Sequence, residues 1–502
     1  MSRTFFISVL FTTSFCFFAI FTPMGNLPSD TEYSIATADA IVTHHTLTLT
    51  PEPRLHDLKT GLNGDHYSKY GVGYALLFTP EIVAADLLGK IAPKYKLYIG
   101  QAIQSFTNTL FASLIIVTFF LIFTTLRYSI KLSLIAVAMI AAASLLLPYS
   151  KIIHAEIPTT FLLLLFFLIA AKQQPIDLLI GAALGCIASA LVFIKAGNAI
   201  YSIVIVCYAL WNFGVKKRGN VSGVAALTCI GVLSLGLLLV LNFARFGSPF
   251  NSGYGGEQYL FNTPLFTGLT GLFFSPSKSL ILFSPLVILC LMALPSFYKK
   301  NPVIAVSLCG MVIANLLFYA KWHDWHGGWC WGPRLIVPAI LILHIVLPEF
   351  LSLPGSGMIL NVRRSFAALL ITFGIIINLL GALVWYQQIC HFQRDNSSIE
   401  YSHPVIAAKL FLNKAIDRPE VYACRDFGID CSGNTYAQTY KVTVRNDSID
   451  FKDFEKFQGF ATMWDGVRRN FHVRFLWIAP VFLLTISALG FYWLWTRDKS
   501  IG

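Results

Sequence analysis

The stretch GNVSGVAALTCIGVLSLGLLLVLNFA, Gly219–Ala244, runs for 26 residues without a charged side chain. A membrane-spanning helix needs about 20 apolar residues, within a range of roughly 17–25. This segment is long enough to cross a bilayer, and Lys216, Lys217 and Arg218 stand directly before it. A basic cluster at one end of an apolar run marks the cytoplasmic side of a span.

Uncharged runs of similar character recur on both sides of it. They are Thr4–Ser29, Ile99–Leu126, Leu132–Ser150, Ile157–Ala171, Leu178–Ile194, Ala196–Val215, Ser279–Tyr298, Asn301–Ala320, Leu335–Pro348, Ser365–Gln393 and Phe475–Thr496. Ile157–Ala171 and Leu335–Pro348 are short for a span, which implies a tilted or broken helix, or flanking residues drawn in. The expectation is an all-α polytopic membrane protein of about twelve transmembrane helices.

Composition agrees. Only 12% of the 502 residues are charged and 56% are hydrophobic, whereas a soluble domain carries roughly a quarter charged residues. The formal charge of +12 does not indicate nucleic acid, because the cations stand as short clusters between apolar runs. Arg3, Arg127 with Lys131, Lys172, Lys216–Arg218, Lys299 with Lys300, Arg363 with Arg364, and Arg497 with Lys499 fall on alternate connections. Placing them all in the cytoplasm satisfies the positive-inside rule and puts both termini there. The apolar core of the first run is longer than a signal peptide's and no A-x-A site follows it, so it reads as an anchor.

The long connections then lie outside: Asp30–Tyr98, Arg245–Lys278, Lys321–Arg334 and Arg394–Arg474. In the first, Pro80–Leu88 (PEIVAADLL) is amphipathic and suits the membrane interface or the cap of the bundle. Residues 387–473 are rich in charge and read as a small extracytoplasmic insert, with a strand at Thr435–Val444. The organisation is thus a transmembrane module over 1–386 with its external loop 30–98, the insert, and a last helix with a cytoplasmic tail over 474–502. Cys424 and Cys431 lie close together in the insert, where an oxidising compartment would let them pair; Cys330 and Cys390 are further partners.

Residues able to do chemistry gather on the same outer side. Asp30 and Glu32 follow the first span, where partial desolvation raises a carboxylate's proton affinity and suits a general base; an acid can also merely cap a helix there. His66–Gly73 sets Lys69 and Tyr70 among glycines, and His154 and Glu156 share a turn that lipid would penalise. Arg245 and Tyr254 flank a glycine-rich segment, and Lys278 precedes the eighth run. The segment Trp322–Arg334 holds four tryptophans with His323, Trp325, His326 and Arg334. Its aromatics fit an interfacial belt, a sugar face or a lipid chain, and Arg334 suits bidentate phosphate recognition. His323 and His326 are spaced H-x-x-H, but without a carboxylate partner in known geometry a divalent metal is not favoured, and no cofactor is called for. Neither a Walker A sequence nor a G-x-S-x-G elbow is present.

The order of SDTEY (29–33), HYSKYGVGYALLFTP (66–80), HAEIP (154–158), NFARFGSPFNSGYGG (242–256) and WHDWHGGWCWGPRLIVP (322–338) resembles the GT-C superfamily of polytopic glycosyltransferases. It is most similar to bacterial members related to the family 39 protein mannosyltransferases and to aminoarabinose transferases. The resemblance runs from about Phe5 to Leu343. It implies a multi-pass enzyme of the bacterial inner membrane whose site faces away from the cytoplasm. It also implies inverting transfer from a polyprenyl-phosphate-linked sugar to a glycan, lipid or protein acceptor of the cell envelope. By that resemblance Asp30 is the base, with Glu32 near the second acid of an Asp-Glu pair but separated from Asp30 by Thr31. Glu156 is a further acid, and Lys69, Arg245 and Arg334 are candidates for the donor phosphate. Tyr70, His154, Tyr254, Lys278, His323, Trp325 and His326 are the remaining candidates for substrate contact. The rival is a transporter or lipid flippase, for which Lys195 is the clearest charge within the membrane.

Overall fold

Inside a bilayer each backbone N–H and C=O must find its partner within its own segment, which drives apolar runs into helices. The computed structural model describes residues 2–23, 29–52, 55, 57–255, 260–384, 389–390, 396–412 and 478–496. Cys424, Cys431, the strand expected at 435–444 and most of the 387–473 insert lie outside the described residues.

The first part of the chain forms α1 (Arg3–Ala19), α2 (Ser29–Asp39), the hairpin β1 (Lys59–Thr60) and β2 (His66–Tyr67), α3 (Val72–Leu76), α4 (Thr79–Ile91), α5 (Lys96–Ser105) and α6 (Thr107–Thr125). Then come α7 (Ile130–Ala143), α8 (Leu146–Tyr149), α9 (Glu156–Lys172), α10 (Leu178–Ile194), α11 (Ala199–Gly214), α12 (Val221–Phe246) and α13 (Leu265–Phe274). They are followed by α14 (Leu280–Phe283), α15 (Leu286–Lys300), α16 (Pro302–Ala320), α17 (Val337–Leu343), α18 (Leu347–Ser352) and α19 (Gly357–Leu383), with further helices at His403–Phe411 and Ile478–Thr496. The hairpin pairs Lys59 with Tyr67 and Thr60 with His66; it is the one sheet among the described residues.

A helix lies on each of the twelve apolar runs. Among the described residues, 8 segments are long and apolar enough to cross a membrane, and Arg3–Ala19, Ile130–Ala143, Leu178–Ile194 and Leu265–Phe274 are shorter apolar helices. The chain is a multi-pass, all-helical membrane protein. The short run from Leu335 is completed by flanking residues to Arg334–Ser352, with a 3-10 turn at His344–Val346. The run from Ser279 is broken at Ser284, whose φ of −139° leaves the helical region, because the following Pro285 disfavours that region for its predecessor.

Two stretches differ from expectation. The amphipathic Pro80–Leu88 belongs to a longer unit, Val72–Ile91, which is itself 20 residues long and apolar enough to span. The external connection Arg245–Lys278 contains α13, whose Gly268 lies so close to the Ala320 backbone that a Cβ would collide with it. Small residues also let α10 and α12 meet: a Cβ on Gly181 would fall on the backbone of Gly223, the kind of close approach that replaces hydrophobic drive in lipid.

The packed interior is centred on α6, α7, α9, α15, α17 and α18, with Phe119, Phe123, Phe166, Phe167 and Trp331 fully buried. By contrast α12 turns Val232, Leu233, Leu235, Leu237 and Val240 outward, as a lipid-facing helix must. The end of the bundle nearest α2 and the hairpin holds the polar loops.

Candidate active site

The α2 helix is pinned against the turn between α8 and α9. The Thr31 hydroxyl donates to the Ile153 carbonyl, and buried Asn108 donates to the carbonyls of Tyr149 at 3.1 Å and Ile152 at 2.7 Å. A turn this deep must satisfy its carbonyls internally, and Asn108 does so. Across from it, Tyr149 donates to the Trp331 carbonyl at 2.9 Å, which fixes the tryptophan loop. Positive φ at Gly327, Gly328 and Gly332 (78°, 65° and 64°) lets that loop turn back on itself at a cost side chains would not tolerate.

These constraints bring separate segments around one cavity of about 820 Å³. Asp30, Lys69, Tyr70, His154, Glu156, Tyr254, His323 and Arg334 all line it, together with Lys195, Asp324, Phe250, Phe261, Phe318, Tyr319 and Trp322. Phe261, Phe318 and Trp322 form an aromatic cluster in its wall, while Tyr70 and Tyr319 stand among the charged residues.

The charged residues form a linked network. Arg334 Nη2 lies 3.0 Å from Asp30 Oδ2, and its Nε lies 3.9 Å from Glu156 Oε1. Lys195 Nζ meets the same Glu156 oxygen at 3.1 Å and sits 5.3 Å from the Tyr319 ring centroid. Tyr70 donates to Asp30 Oδ1 at 2.9 Å. Lys69 pairs with Asp57 Oδ2 at 2.9 Å and faces the rings of Tyr254 at 5.4 Å and Tyr70 at 5.8 Å. Asp57 is bound on its other oxygen by Lys59 at 2.5 Å.

Burial is the strongest single influence on Asp30 and works to raise its proton affinity, but its neighbours, Arg334 first and the Tyr70 hydrogen bond and Lys195 among the others, together outweigh it and hold Asp30 well below the usual carboxylate range. Burial, reinforced by the Asp30 charge, pushes the Tyr70 phenol far up, so Tyr70 remains a donor. Burial and then Arg334 push His154 down to about 4, so it is neutral at pH 7 and adds no charge to its neighbours. Asp30 is not sealed off: 27% of its side-chain surface is open, against 15% for Arg334 and 6% for Glu156.

Other candidates lie outside the cavity wall. Glu32 is on the first turn of α2 but does not line the cavity. Arg245 is buried behind the hairpin, donating to Ser68 O at 3.2 Å and Asn242 Oδ1 at 2.9 Å. Lys278 is fully buried and donates to Gly328 O at 2.8 Å and Cys330 O at 3.1 Å. Trp325 packs on Gly271 of α13, and His326 pairs with Asp324 at 2.8 Å. Arg245 and Lys278 therefore shape the loops, and do not reach the space a ligand would fill. Among the described residues no three His, Cys, Asp or Glu side chains come together as a metal-binding group.

Lys195 and Asp57 are what the sequence left out of the site. Lys195 was noticeable only as a charge among apolar residues; it caps α10 at the cavity. Asp57 carries no local signal, since its partner Lys69 comes from the next strand's end.

Fold and site together define a class: a polytopic helical membrane protein with a cavity lined by charged and aromatic residues at one end of its bundle. No family model matches the sequence, and no curated protein matches it. Among solved structures, the chain is similar to the crystal structure of ArnT from Cupriavidus metallidurans bound to undecaprenyl phosphate. That alignment has 14% identity and a TM-score of 0.46, and covers 99% of this chain and 77% of that one. The apo state of the same ArnT gives 13% identity and a TM-score of 0.46 over 99% and 76% of the two chains. A likeness at this level assigns no residue a role.

Proposed function

We propose that the chain is a membrane glycosyltransferase of the GT-C type, moving a sugar from a polyprenyl-phosphate-linked donor to an extracytoplasmic acceptor with inversion. The observation that supports this reading is the convergence of Asp30, Arg334, Glu156 and Lys195 on one cavity that an aromatic cluster also lines. The positive-inside pattern supports an extracytoplasmic position for that end of the bundle, and the reading sets the enzyme in a bacterial inner membrane.

The chemistry needs a base for the acceptor proton and cations for the departing phosphate. A donor phosphate entering between Arg334, Lys195 and Lys69 competes with the carboxylates for those cations. As Arg334 turns to the phosphate, the chief influence holding Asp30 at low proton affinity weakens, and burial, which works the other way, takes over. Asp30 thus becomes a competent base only once donor is bound. The acceptor hydroxyl then attacks the anomeric carbon and its proton passes to Asp30. The bond from that carbon to the phosphate oxygen breaks, with the electron pair leaving on the phosphate. Glu156, held by Lys195, positions Arg334. Of the two acids in SDTEY, Asp30 is favoured over Glu32 because it alone lines the cavity. The aromatic cluster, Phe261, Phe318 and Trp322, offers faces for the sugar or the first prenyl units.

Lys195 was the charge that most suggested a transporter. Its place at a helix end, paired with Glu156, suits a ligand site at the membrane edge. The test is sugar transfer by the full-length protein reconstituted in vesicles with a labelled polyprenyl-phosphate donor. Asp30→Asn should lose about 10²–10⁴-fold in rate, the usual contribution of a general base, with donor binding retained. Full activity in that variant would exclude Asp30 as the base, and solute movement without glycosylated product would favour the transporter.

A further inference from the structure

Behind the cavity wall, the tryptophan loop meets the segment that follows α19. Cys330 is fully buried and Cys390 nearly so. The Cys390 sulfur stands 4.0 Å from the Cys330 carbonyl oxygen and 3.9 Å from Nε2 of His403. His403 is in turn fastened to the loop, its Nδ1 accepting from Gly332 N at 3.4 Å and its ring stacking on Trp331 at 6.0 Å. Lys278 Nζ lies 3.3 Å from Cys330 Sγ.

The remaining described cysteines are placed differently. Cys16, Cys186, Cys207, Cys229, Cys290 and Cys309 all lie within apolar helices, where a free thiol is a small apolar residue, buried at Cys16 and Cys290 and facing outward at Cys186, Cys207 and Cys229. Cys330 instead sits on the tryptophan loop beside the cavity, and Cys390 on the short helical stretch 389–390 that meets that loop. Both are free thiols in this structure: the Cys390 sulfur lies against the Cys330 main chain, while the Cys330 sulfur is turned into its own loop, 3.4 Å from the carbonyls of Gly327 and Gly332, so pairing requires it to swing toward Cys390.

We infer that Cys330 and Cys390 are a disulfide-forming pair that joins the loop carrying Arg334 to the start of the extracytoplasmic insert. In the reaction the two thiols give up two protons and two electrons and form one S–S bond. An external disulfide acts as the oxidant and is reduced to two thiols. An oxidising compartment at that face supplies such a reagent. The bond holds Arg334's loop, Trp331 included, against His403, and it stands whether or not the cavity transfers sugar.

Differential thiol labelling tests it on the full-length protein in native membranes. Free thiols are blocked with N-ethylmaleimide under denaturing, non-reducing conditions; the sample is then reduced, labelled with iodoacetamide and mapped by mass spectrometry. Cys330 and Cys390 should carry the second label. Without reduction, their peptides should run as one linked species two hydrogens lighter than the sum. In Cys390→Ser, Cys330 should move to the first label. First label on both residues in the unaltered protein, or linkage of either to Cys424 or Cys431, would overturn the pairing. Reduction should also lower the thermal midpoint of the unaltered protein but leave that of Cys330→Ser/Cys390→Ser unmoved; equal behaviour of the two would count against the bond.

Discussion

Two groups of cations in this molecule look alike in sequence and differ in burial and in what they face. Arg334, Lys195 and Lys69 point at carboxylates around an open cavity. Lys278, Arg245 and Lys151 point at backbone carbonyls in closed loops, Lys151 reaching Ala382 O at 2.6 Å and Val384 O at 3.2 Å. A carboxylate can be exchanged for an incoming phosphate, because the cation keeps an anionic partner throughout. A buried main-chain carbonyl has no alternative donor, so its cation is a fixed part of the fold. The difference separates residues available for catalysis from residues that build the walls.

That contrast can be broken by substitution. Arg334→Ala should cause the largest change of this series, about a 10²–10³-fold fall in transfer, as for loss of one transition-state charge donor. Donor binding should weaken as well; unchanged donor affinity would remove Arg334 from the phosphate site. Lys278→Met should do the opposite, lowering the thermal midpoint through orphaned carbonyls at about 1–3 kcal/mol each, while transfer per folded molecule is kept. A Lys278→Met protein that is stable but inactive would erase the distinction.

Lys151 sharpens the same contrast through pH. Burial pushes its pKa down to about 7, from an unfolded value near 10.4. Between those values the unfolded chain binds the extra proton, so stability should rise with pH from 7 to about 10. Lys151→Met should flatten that rise in thermal melts; an unaltered slope would show that another group causes it. The smallest effect expected is that of Lys69→Ala, which should raise the KM for donor several-fold with kcat little changed. Asp57 and Tyr254 hold Lys69, which pairs with neither Asp30 nor Glu156 among the ion pairs of the described residues. A kcat loss as large as that of Arg334→Ala would place Lys69 on the leaving phosphate itself.

Much of this was legible before coordinates. Apolar runs such as Gly219–Ala244 determine helices because lipid leaves the backbone no other option, and the basic clusters sort the loops to two sides. The segments carrying Asp30, Lys69, His154, Glu156 and Arg334 could be picked out by their polar residues between spans. Their meeting could not, since it depends on Asn108 and Tyr149, whose hydrogen bonds cross 41 residues to Tyr149 and 182 to Trp331. Arg245 and Lys278 were grouped with the phosphate and substrate residues because a carbonyl partner has no identity in a sequence. Lys195 was noticed only as a charge among apolar residues and Asp57 not at all, for the related reason that an ion pair between distant segments leaves no local pattern. The interfacial reading of Pro80–Leu88 stopped short because Val72–Leu76 continues the same apolar unit through a turn.

The most direct test is a density map of the full-length protein with a polyprenyl phosphate bound. The expected result is a phosphate within hydrogen-bonding distance of Arg334 and at least one of Lys195 and Lys69, with Asp30 released from Arg334 and the prenyl chain leaving past the aromatic cluster. A headgroup bound elsewhere, with the Asp30–Arg334 pair intact, would contradict the central claim that this cavity is where the sugar is transferred.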